Sequence, residues 1–271
     1  MQILVTNDDG IKAESLWALV RELKNIARVT VVAPDGERSA IGTAVSLFKP
    51  LHVRKFTAPV KGVAAYTTDG TPSDCVILGH GKLIDGLDMV VSGINPGPNY
   101  GEDVFISGTV GAAMQGYTRG LPALSISSSA FQISKASIDT GARVATEIVR
   151  RIAGEDFPRI FLNMNVPDLP LEKIQRIELT RLARSSHINT VTEETLNSTK
   201  EYRLVRERIA GSDTEGTDIH AVVQGNISIT ALYTSLLDKP PQHLLKKLCA
   251  DLLSELKRVE NNAAPHRHGH N

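Results

Sequence analysis

The sequence is short of the features that would place it in a specialised class at once. Only 4% of its 271 residues are aromatic, so a core has to be built mostly from Val, Ile, Leu and Ala. Two cysteines, Cys75 and Cys249, offer no disulfide framework and make a reducing compartment the simpler reading. Neither sign of charge predominates, with 30 Lys+Arg against 30 Asp+Glu. No segment carries the basic excess of a protein that binds nucleic-acid polymers or anionic membranes. No apolar run approaches the ~20 residues of a membrane-spanning helix. The opening MQILVTNDDG lacks the basic and apolar regions of a signal peptide. These absences predict a cytoplasmic globular protein. At 41% hydrophobic and 22% charged, the chain can fold without a disulfide or metal staple.

What is present is a strand and helix alternation. Gln2–Thr6 is a β-branched run, Leu16, Leu19, Val20 and Leu23 recur at helical spacing, and Arg28–Ala33 is a second apolar run. Such a βαβ unit has a right-handed crossover and implies a parallel sheet. Further strands are expected at Leu87–Ser92, Ala123–Ser127 and Ile160–Asn165, and helices at Thr109–Arg119 and Ser137–Ala153. From about Ile174 the texture changes. Ile174, Ile177, Leu179 and Leu182 alternate with polar residues, Ser185–Lys200 is polar without period, and Tyr202–Ile209 alternates with charges. That pattern suits an exposed hairpin or arm better than a buried central strand. The expected organisation is an α/β core over 1–173, an arm over 174–225, a returning strand and helix over 226–261, and a disordered tail over 262–271. Leu244, Leu245, Leu248, Leu252 and Leu256 mark that last helix.

The turn after the first strand carries Asp8 and Asp9, where a dinucleotide-binding fold would carry glycines. Adjacent carboxylates repel, and a helix N-terminus offers only about half a positive charge against them. A hard divalent cation would offset both. Helix capping and plain turn chemistry are the competing explanations, and the turn alone leaves the two even. Ser92–Gly120 holds seven glycines and leads from a strand end into a helix. Ser107, Gly108 and Thr109 fall where that helix begins, a place suited to an anion. No Lys or Arg lies between Lys82 and Arg119, so a phosphate bound there would be held by dipoles, hydroxyls and a metal. Ser39, at the end of the second strand, and Asn95 fall on the same rim as Asp8 and Asp9. Ser39 alone is as compatible with an ordinary loop serine. The histidines show no metal-ligand spacing, and Cys75 has no neighbouring base to make it a nucleophile.

Taken together, ILVTNDDG (3–10), APDGERSAIG (33–42), DGTPSDCV (69–76), VSGINPGPNYGEDV (91–104) and SGTVGAAMQG (107–116) resemble the survival-protein SurE nucleotidases. NMNVP (163–167) and TDIHAVVQGNISIT (217–230) extend the resemblance to most of the chain. It implies a Rossmann-like three-layer fold whose C-terminal β-hairpin arm is exchanged between subunits of a homodimer or homotetramer. The implied activity is metal-dependent hydrolysis of nucleoside monophosphates, 5′ and often 3′, with short polyphosphate in some members. One Mg or Mn per subunit would be held by Asp8, Asp9, Ser39 and Asn95, of which Asp8, Asp9 and Asn95 serve catalysis. Phosphate contacts would fall on Asn99, Ser107, Gly108 and Thr109. Ile106 departs from the Tyr common before Ser-Gly-Thr, and Asn226, Ile227 and Ala231 also depart from the pattern. A receiver-like Mg-binding signalling module is the alternative, but it would need an aspartate at the end of its third strand and a later lysine.

Overall fold

The chain begins with β1 (Gln2–Thr6), α1 (Glu14–Leu23) and β2 (Arg28–Pro34). β3 (Val53–Lys55), β4 (Ala64–Thr68) and α2 (Pro72–Leu78) follow, then β5 (Met89–Asn95), α3 (Gly108–Thr118), β6 (Ala123–Ser128), α4 (Lys135–Gly154) and β7 (Phe161–Val166). The remainder contributes β8 (Ile177–Thr180), a hairpin of β9 (Ile188–Leu196) and β10 (Thr199–Arg206), α5 (Asp218–Val223), β11 (Ile227–Ala231) and α6 (Gln242–Ala263). These elements come from a computed structural model that describes residues 1–154, 159–184, 188–196, 199–206, 214–232 and 242–263.

One sheet runs in the order β3-β4-β2-β1-β5-β6-β7-β11-β8. Its centre, from β4 to β7, is parallel throughout. β3 and β11 are antiparallel to β4 and β7, and β8 is parallel to β11. Strand side chains alternate between two helical layers. Ile3 and Val5 join Leu16, Leu19 and Leu23 of α1 and Ala145, Ile148 and Val149 of α4, with Leu248 and Leu252 of α6 in the same cluster. Leu4, Val32 and Val90 point the other way, against Cys75 and Val76 of α2 and Ala112 of α3. This is the three-layer α/β architecture expected.

Three elements between β2 and β5 escaped the periodicity. β3 is a three-residue edge strand with two charged residues, β4 beside it has only five residues, and α2 has only seven. The DGTPSDCV stretch explains α2. Thr71 accepts the Asp74 N–H at 3.0 Å, Asp74 accepts the Thr71 N–H at 2.9 Å, and Pro72 follows in the first turn. Asp74 also accepts the Ser46 N–H at 2.9 Å, tying down the preceding loop. β5 continues to Asn95 because it bulges: Ser92 pairs with Ser125, but Asn95 pairs with Ser127. Gly93, at φ +137°, permits this, since a Cβ there would lie 2.4 Å from the Ile126 carbonyl oxygen.

The stretch expected to form an arm, 174–225, includes a strand of the main sheet. Ile177–Thr180 sits in the main sheet, because β11 pairs with it and α6 covers it. β9 and β10 pair only with each other among the described residues. Residues 207–209 of the alternating run, the four residues after it, the side chain of Leu244 and the tail from 264 lie outside the described residues.

Of the glycines in the Gly-rich stretch, 108, 111 and 116 serve the packing of α3. A Cβ on Gly111 would lie 2.3 Å from the Gly42 carbonyl oxygen, and one on Gly116 would lie 2.6 Å from Val90. Gly111→Ala is therefore expected to lower stability by about 1–3 kcal/mol, as overpacking does. The check is the urea midpoint with its slope unchanged.

Candidate metal and phosphate site

The parallel core of the sheet reverses its strand order between β1 and β5. From β1 the chain crosses to β2 on one side, whereas β5 leads to β6 on the other. In open α/β sheets a crevice opens at the carboxyl ends of such a strand pair. Here those ends carry Asp8 and Asp9 after β1 and Asn95 at the end of β5.

The turn that holds the two aspartates is closed by its neighbours. Asn7 donates to the Gly10 carbonyl at 3.1 Å and accepts the Gly10 N–H at 3.2 Å. Gly10, at φ +96°, lets the turn pass the backbone of Gly36, which a Cβ would meet at 3.0 Å. Helix capping is not the role of Asp8 or Asp9. α1 begins only at Glu14, its N-cap is Ala13, and that cap has no side-chain hydrogen bond. The carboxylates are thus left for another task.

Asp8 is only 6% exposed and receives the Thr109 hydroxyl hydrogen bond. Gly108 makes this approach possible, since a Cβ there would fall 2.9 Å from the Asp8 Cβ. Burial pushes the Asp8 carboxyl above its ordinary range, against the Thr109 hydroxyl and backbone contacts that favour its charge. Asp9 has a buried oxygen, Oδ2, with no hydrogen-bond partner. Its pKa is raised to about 7, first by burial and then by the charges of Asp8 and Glu37. An unpartnered buried carboxylate oxygen beside two further carboxylates is a costly arrangement that a cation would relieve.

Asp8, Asp9, Ser39, Asn95, Asn99 and Ser107 all line one cavity of about 260 Å³. Glu37, Asp103, Ile106 and Phe131 add to its wall, along with Ala40, Pro96 and Pro98. No Lys or Arg among the described residues lines it. Arg38, close in sequence, is turned to Asp35 at 2.8 Å. Gly108 and Thr109 lie beneath the wall, supporting Asp8. Asn95 donates its amide to the carbonyls of Pro96 and Gly97 at 3.2 and 2.7 Å, which reserves its Oδ1 as an acceptor. Ser39 donates to Glu37 at 2.6 Å. Ser107 caps α3 by accepting the Val110 N–H at 3.1 Å, so its hydroxyl hydrogen can still be given to an anion. Asn99 is held by buried polar groups of β6 and β7. Its amide donates to Ser127 at 2.8 Å, its N–H to Asn165 at 3.0 Å, and its carbonyl accepts from Asn163 at 2.7 Å. The loop beyond is clamped by Asp218, which is fully buried and accepts the N–H groups of Gly101 at 2.8 Å and Ala183 at 2.9 Å.

No three His, Cys, Asp or Glu side chains among the described residues form a metal-binding group by themselves. A cation in this cavity would therefore have to draw on the neutral oxygens of Asn95 and Ser39 beside Asp8 and Asp9. An all-oxygen set of this kind suits a hard ion.

The family model described as survival protein SurE matches residues 3–189. The chain belongs to the SurE family. The protein named 5′-nucleotidase SurE in Dehalococcoides mccartyi (strain CBDB1) is 47% identical over 263 residues, covering 96% of this chain and 99% of the relative. The 5′-nucleotidase SurE of Haemophilus influenzae is 38% identical over 239 residues, covering 87% and 92%. The crystal structure of the SurE protein from Aquifex aeolicus superposes with a TM-score of 0.75 at 34% identity, covering 91% of this chain and 98% of that one.

Within this SurE chain, Glu37, Asp103, Phe131 and Asp218 went unnoticed in the sequence. Glu37 and Phe131 stand in irregular segments, where no period tells which side chain faces inward. Glu37 stands two residues before Ser39, and that spacing is the one signal that could have found it. Asp218 acts across 117 residues of chain, a separation no local pattern reports.

Because the folded-state pKa of Asp9 is raised, its contribution to stability is full below the ordinary carboxylate pKa of 3.8 and is lost as pH rises through about 7. In chelator, Asp9→Asn is expected to be more stable than the parent at pH 8 by on the order of 2 kcal/mol, with the gap closing towards pH 4. Urea unfolding of both proteins across that range checks it.

Proposed function

We propose that the chain is a divalent-cation-dependent 5′-nucleotidase, hydrolysing nucleoside monophosphates to nucleoside and phosphate. Its naming relatives support the activity, and 3′-monophosphates and short polyphosphate are the wider range that the family resemblance implies. The observation that carries the cation dependence is the unpartnered Asp9 oxygen in a cavity lined by carboxylates and, among the described residues, by no basic side chain. A phosphate dianion would be repelled from such a wall unless positive charge came with it. The receiver-like alternative gains nothing here, since β5 beside the acidic turn ends in Asn95 and not in an aspartate.

Asp8, Asp9, Asn95 and Ser39 would hold one Mg or Mn ion per subunit, which would supply that charge and lower the pKa of a bound water. The chain itself binds and orients. Ser107 gives its hydroxyl hydrogen to a phosphoryl oxygen at the start of α3, and the second N–H of the Asn99 amide serves another. The Thr109 hydroxyl fixes Asp8 in place, and a carboxylate oxygen of the Asp8–Asp9 pair that is not taken up by the cation receives the proton of the attacking water.

The subunit acts as a homodimer or homotetramer with the β9–β10 hairpin as its arm. In support, Val191 and Leu204 face each other across that hairpin and are 59% and 73% exposed, with Tyr202 also exposed. The compartment is the cytoplasm, a reading supported by two free, buried cysteines. No helix among the described residues is long and apolar enough to cross a membrane.

Protein stripped with chelator is expected to lose hydrolysis of nucleoside monophosphates and to regain it with Mg or Mn. Full activity in chelator would sink the cation-dependent reading. Thr109→Val keeps the shape of α3 but removes the hydroxyl that fixes Asp8. It is expected to lower activity or cation affinity about 10- to 100-fold, read from a metal titration of the initial rate.

A further inference from the structure

The wall described above has one aromatic member. Phe131 follows β6 in an irregular loop and is 53% exposed, although it lines the same cavity as Asp9, Asn95 and Ser107. A large aromatic left half open to water on an otherwise polar cavity calls for an explanation. The loop that bears it is anchored at several points. The Gly97 N–H donates to the Ala130 carbonyl at 2.9 Å, Ser129 donates its N–H to Val166 at 2.8 Å, and Ser134 donates its hydroxyl to Asp168 at 2.7 Å. The ring itself lies on the backbone of Gly97, where a Cβ would come within 2.6 Å of Cδ1 and Cε1. Gly97 is thus a seat for the ring, in the loop immediately after Asn95.

We infer that the exposed part of the Phe131 ring is the platform on which the nucleobase of the substrate stacks. This rests on the nucleotidase reading and adds the residue that distinguishes a nucleotide from other phosphomonoesters. The polar end of the cavity can hold a phosphate, but phosphate contacts alone accept any phosphomonoester. An apolar aromatic face on the cavity wall adds more affinity for a flat π-system than for a sugar or polyol. Stacking reads a base by its face, so every base gains from it and purines, with the larger area, gain more. The ring is carried on an anchored loop, so little order has to be gained on binding.

The test uses full-length protein loaded with Mg or Mn and two substrates, AMP and ribose 5-phosphate, the latter lacking a base. The parent comes first. If it does not hydrolyse AMP, the nucleotidase reading fails, and the platform fails with it. If it does, the ratio of kcat/KM for AMP to that for ribose 5-phosphate is measured in Phe131→Ala and Phe131→Trp. The ratio is expected to fall about 5- to 100-fold in the alanine variant, the range that loss of base stacking produces. The fall should appear mainly in KM for AMP, because the base is remote from the reacting phosphorus. Phe131→Trp is expected to restore the ratio. An unchanged ratio in Phe131→Ala, including an equal fall on both substrates, would overturn the inference while leaving the nucleotidase reading intact. So would a tryptophan variant no better than alanine.

Discussion

Two neighbouring carboxylates at the end of β1, one buried and one partly so, impose conditions on everything around them. Asp8 can be buried only if donors meet it, and the donor is Thr109 in the first turn of α3. For Thr109 to reach it, the helix has to begin almost in contact with the turn, which excludes a side chain at position 108. For the helix to continue at that distance, positions 111 and 116 must also be small, against Gly42 and Val90. A requirement for charge at one strand end thereby becomes a requirement for small residues along a helix more than 100 positions away. The same pair explains why Asn95 faces the cavity. The bulge at Gly93 advances β5 by one residue and puts an amide oxygen where another apolar strand residue would otherwise end the sheet.

The second support is polar and lies inside the sheet. Ser125, Ser127, Asn163 and Asn165 are fully buried on β6 and β7, positions where a parallel sheet ordinarily carries Val and Ile. Their hydrogen bonds run to one another and to Asn99, so the loop after β5 is fixed at both its backbone and its side chain. Buried polar groups that are satisfied in this way hold a loop more rigidly than apolar contacts would. Asn99 is then presented to the cavity with little freedom to lose on binding an anion.

Much of this was legible in the residues. The parallel core followed from apolar runs alternating with helical periods, and the rim from strand ends that carry Asp8, Asp9 and Asn95. Other parts were legible only as chemistry without geometry. The Ser-Gly-Thr stretch reads as an anion nest, and its further part in holding Asp8, through the Thr109 hydroxyl and the close approach of Gly108, has no local signal. β8 read as part of an exposed arm because alternation reports one covered face without saying what covers it. In the fold, α6 does so from more than 60 residues downstream. Phe131 and Glu37 could not be placed at all, since irregular backbone has no period to project.

Asp218 has a consequence for how the protein could be shortened. The segment matched by the family model stops at residue 189, so that match alone would suggest a minimal fragment ending there. Yet the Gly101 amide, one residue past Tyr100 in the site loop, is received by a carboxylate 29 residues beyond that limit, and the same carboxylate holds Ala183. β11, which separates β7 from β8, is also supplied from beyond it. A fragment cut where the family-model match ends would keep every residue of the cavity wall and lose the clasp that keeps the wall in place. The catalytic unit of this chain is larger than its signature.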